Sequence, residues 1–266
     1  MPFVEQGAFR LYYEDSGGDK PVLLFLHGAG GNHLSWWQQV PAFVEEYRCV
    51  TVDQRTFQQS PDVPNGPGVS ALASDVLALL DHLEVERAAV VAQSMGGWAA
   101  VGAAVQQPQR LWAVVLANTV GHLSDPEISA LRAELQATRP PRPAVLWQGA
   151  LGTTFQKHHP TTTFLYAQIA GLNAPRSPEF RQQLYQLTTP VEQYSALGIP
   201  TMFVTGDEDI LIWPELSEAV QAKVAGSRLL RVPEAGHSVY FEQPDLFNRE
   251  VGAFLQTHRP RYMPGT

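Results

Sequence analysis

The sequence predicts an α/β protein, a mostly parallel central sheet flanked by helices and interrupted by one helical insertion. Three observations carry this. Short apolar runs alternate with amphipathic stretches up to Asn118. Between Thr119 and Ile199 no buried-strand run occurs, and helix-like segments separated by prolines take its place. At Thr201 the alternation resumes.

Phe9 to Glu14 reads as a strand ended by the turn-forming Asp15-Ser16-Gly17-Gly18-Asp19. Val22 to Leu26 is continuously apolar between Pro21 and Gly28, the pattern of a strand buried on both faces. A helix over Ser35 to Tyr47 and a strand over Arg48 to Asp53 follow. Ser70 to Leu83 is helical, with Leu72, Val76, Leu79, Leu80 and Leu83 on one side. Ala88 to Ala92 is a strand, Met95 to Gln107 a helix stopped by Pro108, and Leu111 to Ala117 a strand. In the interruption Pro140-Pro141, Pro160, Pro175, Pro178 and Pro190 separate helical segments. Thr201 to Thr205 and Arg228 to Val232 are strands, each followed by a helix, Pro214 to Val224 and Pro244 to Leu255. A structureless loop of roughly 80 residues is improbable within a domain. The chain therefore reads as one core, residues 1–119 and 200–266, carrying a helical cap over 120–199, with a frayed tail from Arg259.

Composition excludes several function classes. Lys+Arg 18 against Asp+Glu 26 leaves a net charge of −8, opposite to the basic face that nucleic-acid binding requires. The single cysteine, Cys49, permits neither an intrachain disulfide nor a thiolate-rich metal site, and its place in a strand pattern marks it as a small core residue. No apolar run approaches the ~18 residues of a membrane-spanning helix. The start, Met1-Pro2-Phe3-Val4-Glu5, lacks the basic and greasy regions of a secretory signal, so the expected location is cytoplasmic.

Ala92-Gln93-Ser94-Met95-Gly96-Gly97 sits where a strand meets a helix and matches the nucleophile-elbow pattern G-x-S-x-G, with Ala92 for the first glycine. Residues flanking the serine must be small there because strand and helix backbones nearly touch. The turn lifts the Ser94 hydroxyl out of the sheet edge, and the Met95 N–H points at any negative charge forming beside it. A serine that merely caps a helix is the bland alternative for this segment, and the elbow reading is favoured over it.

A serine nucleophile needs a base oriented by a third group. Gly206-Asp207-Glu208-Asp209 and Gly236-His237 each follow a strand, at the sheet edge where open α/β sheets bind ligands. Singly, Asp209 reads as a turn residue and His237 as a surface histidine. Together with Ser94 they stand in the order serine, acid, histidine. Asp207 and Glu208 compete for the acid's place, and the offset from Gly206 favours Asp209.

His27-Gly28-Ala29-Gly30-Gly31 follows Val22 to Leu26, and the Ala29 N–H is the second candidate oxyanion donor beside Met95. Gly28-x-Gly30-x-x-His33 is also a near-miss to the dinucleotide fingerprint, with Asp53 where a ribose-binding acid would stand. His33 is too large for the helix–strand contact that motif requires, and the nicotinamide reading leaves Ser94, Asp209 and His237 without a role.

From Phe9 to His258 the chain resembles the α/β-hydrolase superfamily, closest to small capped serine esterases, enol-lactonases and carbon–carbon bond hydrolases. The shared stretches are Phe25-Leu26-His27-Gly28, Gln93-Ser94-Met95-Gly96-Gly97, Val115-Leu116-Ala117-Asn118-Thr119, Gly206-Asp207-Glu208-Asp209 and Ala235-Gly236-His237. The resemblance implies a cap inserted after the sixth strand and acting as a lid, Ser94 as nucleophile, His237 as base and Asp209 as its orienting acid. It implies a cofactor-free, metal-free hydrolase that cleaves a carboxylic ester or lactone of a small apolar or aromatic substrate through an acyl-enzyme. Carbon–carbon bond cleavage of a β-diketone or ring-fission product on the same three residues is the alternative. A ligand receptor that kept the fold and lost turnover is the alternative outside enzymes. Epoxide hydrolases and haloalkane dehalogenases are disfavoured, because those relatives carry aspartate at the place of Ser94. The expected partner is a small molecule, with neither nucleic acid nor membrane, for a monomer or homodimer.

One stretch departs from the family. Relatives commonly carry glycines in a D-x-R-G-x-G-x-S pattern, and here it reads Asp53-Gln54-Arg55-Thr56-Phe57-Gln58-Gln59-Ser60. Because β-branched Thr56 resists positive φ, the expectation is a reshaped loop that puts Phe57 or Gln58 at the pocket wall. Gln93, Trp36, Phe57 and Trp147 are the candidate substrate-binding residues, with one of Trp36-Trp37 expected in the core. Phe155, Phe164, Tyr166 and Phe180 add aromatic surface to the cap, part of it for packing and part for the pocket. His158-His159 beside Pro160 reads as a solvated loop rather than a metal site.

Overall fold

The computed structural model describes residues 2–140, 146–175 and 179–260. Its strands are β1 (Phe3–Gln6), β2 (Phe9–Asp15), β3 (Val22–Leu26), β4 (Arg48–Val52), β5 (Ala88–Gln93), β6 (Leu111–Ala117), β7 (Leu123–Ser124), β8 (Thr189–Pro190), β9 (Thr201–Gly206) and β10 (Arg228–Val232). Eight of them form one sheet in the order β1-β2-β4-β3-β5-β6-β9-β10. From β4 to β10 every pairing is parallel, whereas β2 runs antiparallel to both β1 and β4.

The continuous apolar runs explain the layering. Side chains alternate across a strand, so a run apolar at every position must be covered on both sides. Val22, Leu24 and Leu26 enter one core with Val90, Ala92, Val114 and Leu116, under the helices Leu72–His82 and Gly96–Gln106. Leu23 and Phe25 enter the other with Val91, Val115, Met202 and Val204, under the helix Pro244–His258. Cys49 belongs to this second core, where burial pushes its thiol up to about 12.

The insertion after β6 is helical. Its described elements include Pro126–Thr138, Leu146–Ala150, Thr153–His158, Pro160–Gly171, Glu179–Gln186 and Val191–Ser195. Its two ends meet in the short parallel pair β7–β8, which the proline-broken sequence did not announce. Asp125 accepts the Ile128 N–H to start the first of these helices, and Lys223 of the core binds Asp125 and Glu127 at 2.6 Å each. Pro141, Pro178 and the tail beyond residue 260 lie outside the described residues.

Two elements differ from expectation. The helix expected over Ser35–Tyr47 is broken into His33–Trp36 and Val40–Phe43, because Pro41 has no N–H to continue a helix and instead opens a new one. Strand β1 was not anticipated. It is an edge hairpin partner of β2, too short for its alternation to register. Among the described residues no helix is long and apolar enough to cross a membrane.

Candidate active site

Five strands deliver their following loops to one edge of the sheet. After β3 comes the loop from His27, after β5 Ser94, after β6 Asn118, after β9 Asp209 and after β10 His237.

Ser94 stands at φ 49°, in the left-handed region, between β5 and the helix Gly96–Gln106. That conformation costs a non-glycine residue of order 1–3 kcal/mol and is held by the surrounding contacts. Its N–H donates to the Ala117 carbonyl at 3.0 Å, and a Cβ on Gly96 would overlap the Leu26 carbonyl oxygen. Only glycine fits there. Ala92, in place of the usual first glycine, is fully buried without disturbing the turn.

The Ser94 Oγ lies 2.8 Å from His237 Nε2. His237 Nδ1 lies 3.0 and 2.9 Å from the two oxygens of Asp209. A carboxylate can only accept, so Nδ1 carries the proton and Nε2 is left to accept the Ser94 hydroxyl. Both His237 and Asp209 are buried, and Ser94 is half-buried. Asp209 is fixed further by the N–H groups of Leu211 and Ile212, each 2.8 Å from Oδ1. The competing acids point elsewhere. Asp207 pairs with Arg231 at the surface, and Glu208 accepts from Thr153 and Thr154 at the start of a cap helix.

Met95 is the first residue of the turn opening the helix Gly96–Gln106, where N–H groups have no intrahelical acceptor. Ala29 follows Gly28 across from it, and a Cβ on Gly28 would reach the Ser94 side chain at 2.9 Å, which measures how closely the two loops approach. His27 Nδ1 lies 2.8 Å from the Gly28 carbonyl, while its Nε2 accepts the Gln54 N–H at 3.0 Å, so the imidazole splints this turn. The combination can generate an alkoxide-like nucleophile and hold an oxyanion between two backbone donors.

A family profile describing the alpha/beta hydrolase fold matches residues 21–244. The chain belongs to the alpha/beta hydrolase family. Similar proteins include the 3-oxoadipate enol-lactonase 2 of Acinetobacter baylyi, 27% identical with 90% of each chain covered. A thermophilic esterase from Thermogutta terrifontis superposes with a TM-score of 0.78 at 25% identity, covering 97% of this chain and 98% of the esterase. The meta-cleavage product hydrolase of Pseudomonas fluorescens IP01 shares the fold, with a TM-score of 0.74 at 20% identity over 96% and 97% of the two chains.

Within this hydrolase several expectations need correction. Gln93 is buried, and its Nε2 donates to the His237 carbonyl at 2.7 Å, which gives it a place in holding the histidine loop. Trp36 is wholly buried between Phe25 and Tyr240, while Trp37 is 46% exposed. The loop after β4 takes positive φ without its glycines. Thr56 and Gln58 take φ of 76° and 36°, the conformation glycine would supply, and hydrogen bonds from Thr56 N–H to Ser60 and from Phe57 N–H to Gln54 hold it. Phe57 is fully buried, packed edge-on against His27 and Phe180. Trp147 lies in the helix Leu146–Ala150, with its side chain outside the described residues. Asp53 is buried and accepts from the His33 N–H, His33 Nδ1 and the Gln59 N–H, which leaves no ribose-binding acid. His159 stacks on Phe155, and His158 is exposed beside it.

Asn118 and Glu242 were not singled out. Asn118, fully buried at φ 51°, donates from Nδ2 to Asp209 Oδ2 at 3.1 Å and to the Gly236 carbonyl at 3.0 Å. Its position directly after β6, on the same edge as the other loops, was the available signal.

Proposed function

We propose that this alpha/beta hydrolase is a serine hydrolase of carboxylic esters or lactones. The single observation that carries the reading is the continuous hydrogen-bonded chain from Ser94 Oγ through the His237 imidazole to Asp209. Ser94 attacks the carbonyl carbon as its proton passes to His237 Nε2. The C–O bond to the leaving alcohol then breaks, and the imidazolium returns the proton to that oxygen. Water, deprotonated by the same imidazole, releases the acid and frees Ser94. Asp209 keeps Nδ1 protonated and stabilises the imidazolium, and the Ala29 and Met95 N–H groups receive the oxyanion.

The apolar cover beside the histidine loop, where Tyr166 is buried and accepts from Ser238, supports a small apolar or aromatic acyl or alcohol group. The resemblance to an enol-lactonase and to an esterase agrees in reaction class. Hydrolysis of a p-nitrophenyl ester and of a simple lactone, measured for the wild type and for Ser94→Ala, tests the reading. Turnover that vanishes in the variant while its fold persists is the expected result, and equal turnover in both contradicts it.

A further inference from the structure

Glu242 has no part in the scheme above, yet its carboxylate is buried where the cap meets the histidine loop. Its Oε2 accepts the Gly236 N–H and the Gly152 N–H, each at 2.8 Å, and its Oε1 accepts the Ser238 N–H at 3.0 Å. Gly236 and Ser238 are the chain neighbours of His237 on either side. Gly152 caps the start of the cap helix Thr153–His158. One side chain therefore fixes the backbone flanking the imidazole and ties it to the cap. Glu208, next to Asp209, holds the same helix start, accepting the Thr154 N–H at 2.9 Å.

Three N–H donors converge on two oxygens. The NH₂ of an amide would face one of those donors, and a proton would weaken whichever oxygen carries it as an acceptor, so the ionised carboxylate suits all three best. We propose that Glu242 is a positioning residue, whose carboxylate holds His237 in reach of Ser94 and docks the cap on the histidine loop, so that proton uptake by Glu242 disengages the site. The proposal rests on the serine hydrolase reading. Burial pushes this carboxyl up to about 7 against the pull of its three N–H groups, and the charge of Asp209 acts in the same direction. The other titratable groups around it are Glu208 from the loop after β9, Tyr166 from the cap, and Tyr240 and His237 from its own segment.

The test is the rate at which a fluorophosphonate labels Ser94, followed from about pH 5 to pH 8 in the wild type and in Glu242→Gln. In labelling, the Ser94 O–P bond forms, the P–F bond breaks, fluoride leaves and the hydroxyl proton goes to His237. Expected for the wild type is a logarithmic rate that falls toward low pH with a slope approaching two, since labelling requires both a neutral general base and an ionised Glu242. The variant should label at least about tenfold more slowly near pH 8, with a slope of one. A wild-type slope of one, or a variant that labels as fast as the wild type, overturns the proposal. Where Glu242→Gln fails to fold, as read by circular dichroism, the wild-type slope decides alone. A wild type that never labels contradicts the serine hydrolase reading itself, a failure distinct from that of Glu242.

Discussion

Gln93 Nε2 donates to the carbonyl of His237 at 2.7 Å, so the residue that precedes Ser94 holds the loop that carries its imidazole partner. Loop β5 and loop β10 are thereby joined directly, across the intervening strands β6 and β9. Gln93→Ala should leave Ser94 in its turn while freeing His237 to drift. The expected outcome is a fall in kcat of about tenfold, equivalent to roughly 1.4 kcal/mol of barrier, measured on a p-nitrophenyl ester at saturating substrate. An unchanged kcat would mean that this bond has no part in placing the imidazole.

Asn118→Gly removes the donor to Asp209 and Gly236 but suits the positive φ at this position. Loss of the side chain leaves a buried carboxylate with one partner fewer, a change that typically costs about 1–3 kcal/mol. Urea unfolding should register that loss, and kcat should fall with it.

Thr56→Gly should act oppositely on stability. A β-branched residue at φ 76° carries a left-handed penalty of roughly 1–2 kcal/mol, partly offset by the greater freedom of glycine in the unfolded chain. A net gain of about 0.5–1 kcal/mol in urea unfolding is expected, with substrate preference unchanged, since the loop already has the glycine geometry.

The tandem tryptophans separate core from surface. Trp36→Ala should cost about 3–5 kcal/mol by opening a cavity against Phe25 and Tyr240. Trp37→Ala should stay within about 0.5 kcal/mol, and thermal unfolding of the two variants checks both.

Stability should also depend on pH through Glu242. Its carboxyl titrates higher in the folded protein, about 7, than in the unfolded chain, 4.5, because burial disfavours the charge. The folded state therefore binds the proton more tightly, and this contribution is complete below about pH 4.5 and lost as pH rises through 7. Between those limits wild-type stability should fall with rising pH, whereas Glu242→Gln, which starts lower because its amide faces one of the three N–H donors, should lack that dependence. Parallel curves for the two proteins would contradict the shift.

Much of this was legible in the chain because it is local. A continuous apolar run must be a doubly covered strand, and a serine squeezed between small residues after such a strand must sit in a sharp turn. Asp209 and His237 were found by the same rule, as polar residues just past the carboxyl ends of strands. The contacts of Asn118 and Gln93 were hidden because strand order brings the β5, β6, β9 and β10 loops together although they are distant in sequence, and Glu242 was hidden because its near partners are backbone N–H groups that no residue pattern marks. Thr56 misled for a different reason. Its intrinsic preference opposes positive φ, but the Ser60 and Gln54 hydrogen bonds outweigh it. Trp36 and Trp37 are adjacent and of one type, so composition does not distinguish the one that packs on Phe25 and Tyr240 from the exposed one.

The most direct test is the mass of the protein quenched in acid during turnover of an aryl ester. One acyl group should be added, located by peptide mapping to Ser94, and absent from Ser94→Ala, which should not turn the ester over. Turnover by Ser94→Ala at the wild-type rate, or an acyl group carried on another side chain, would contradict the assignment.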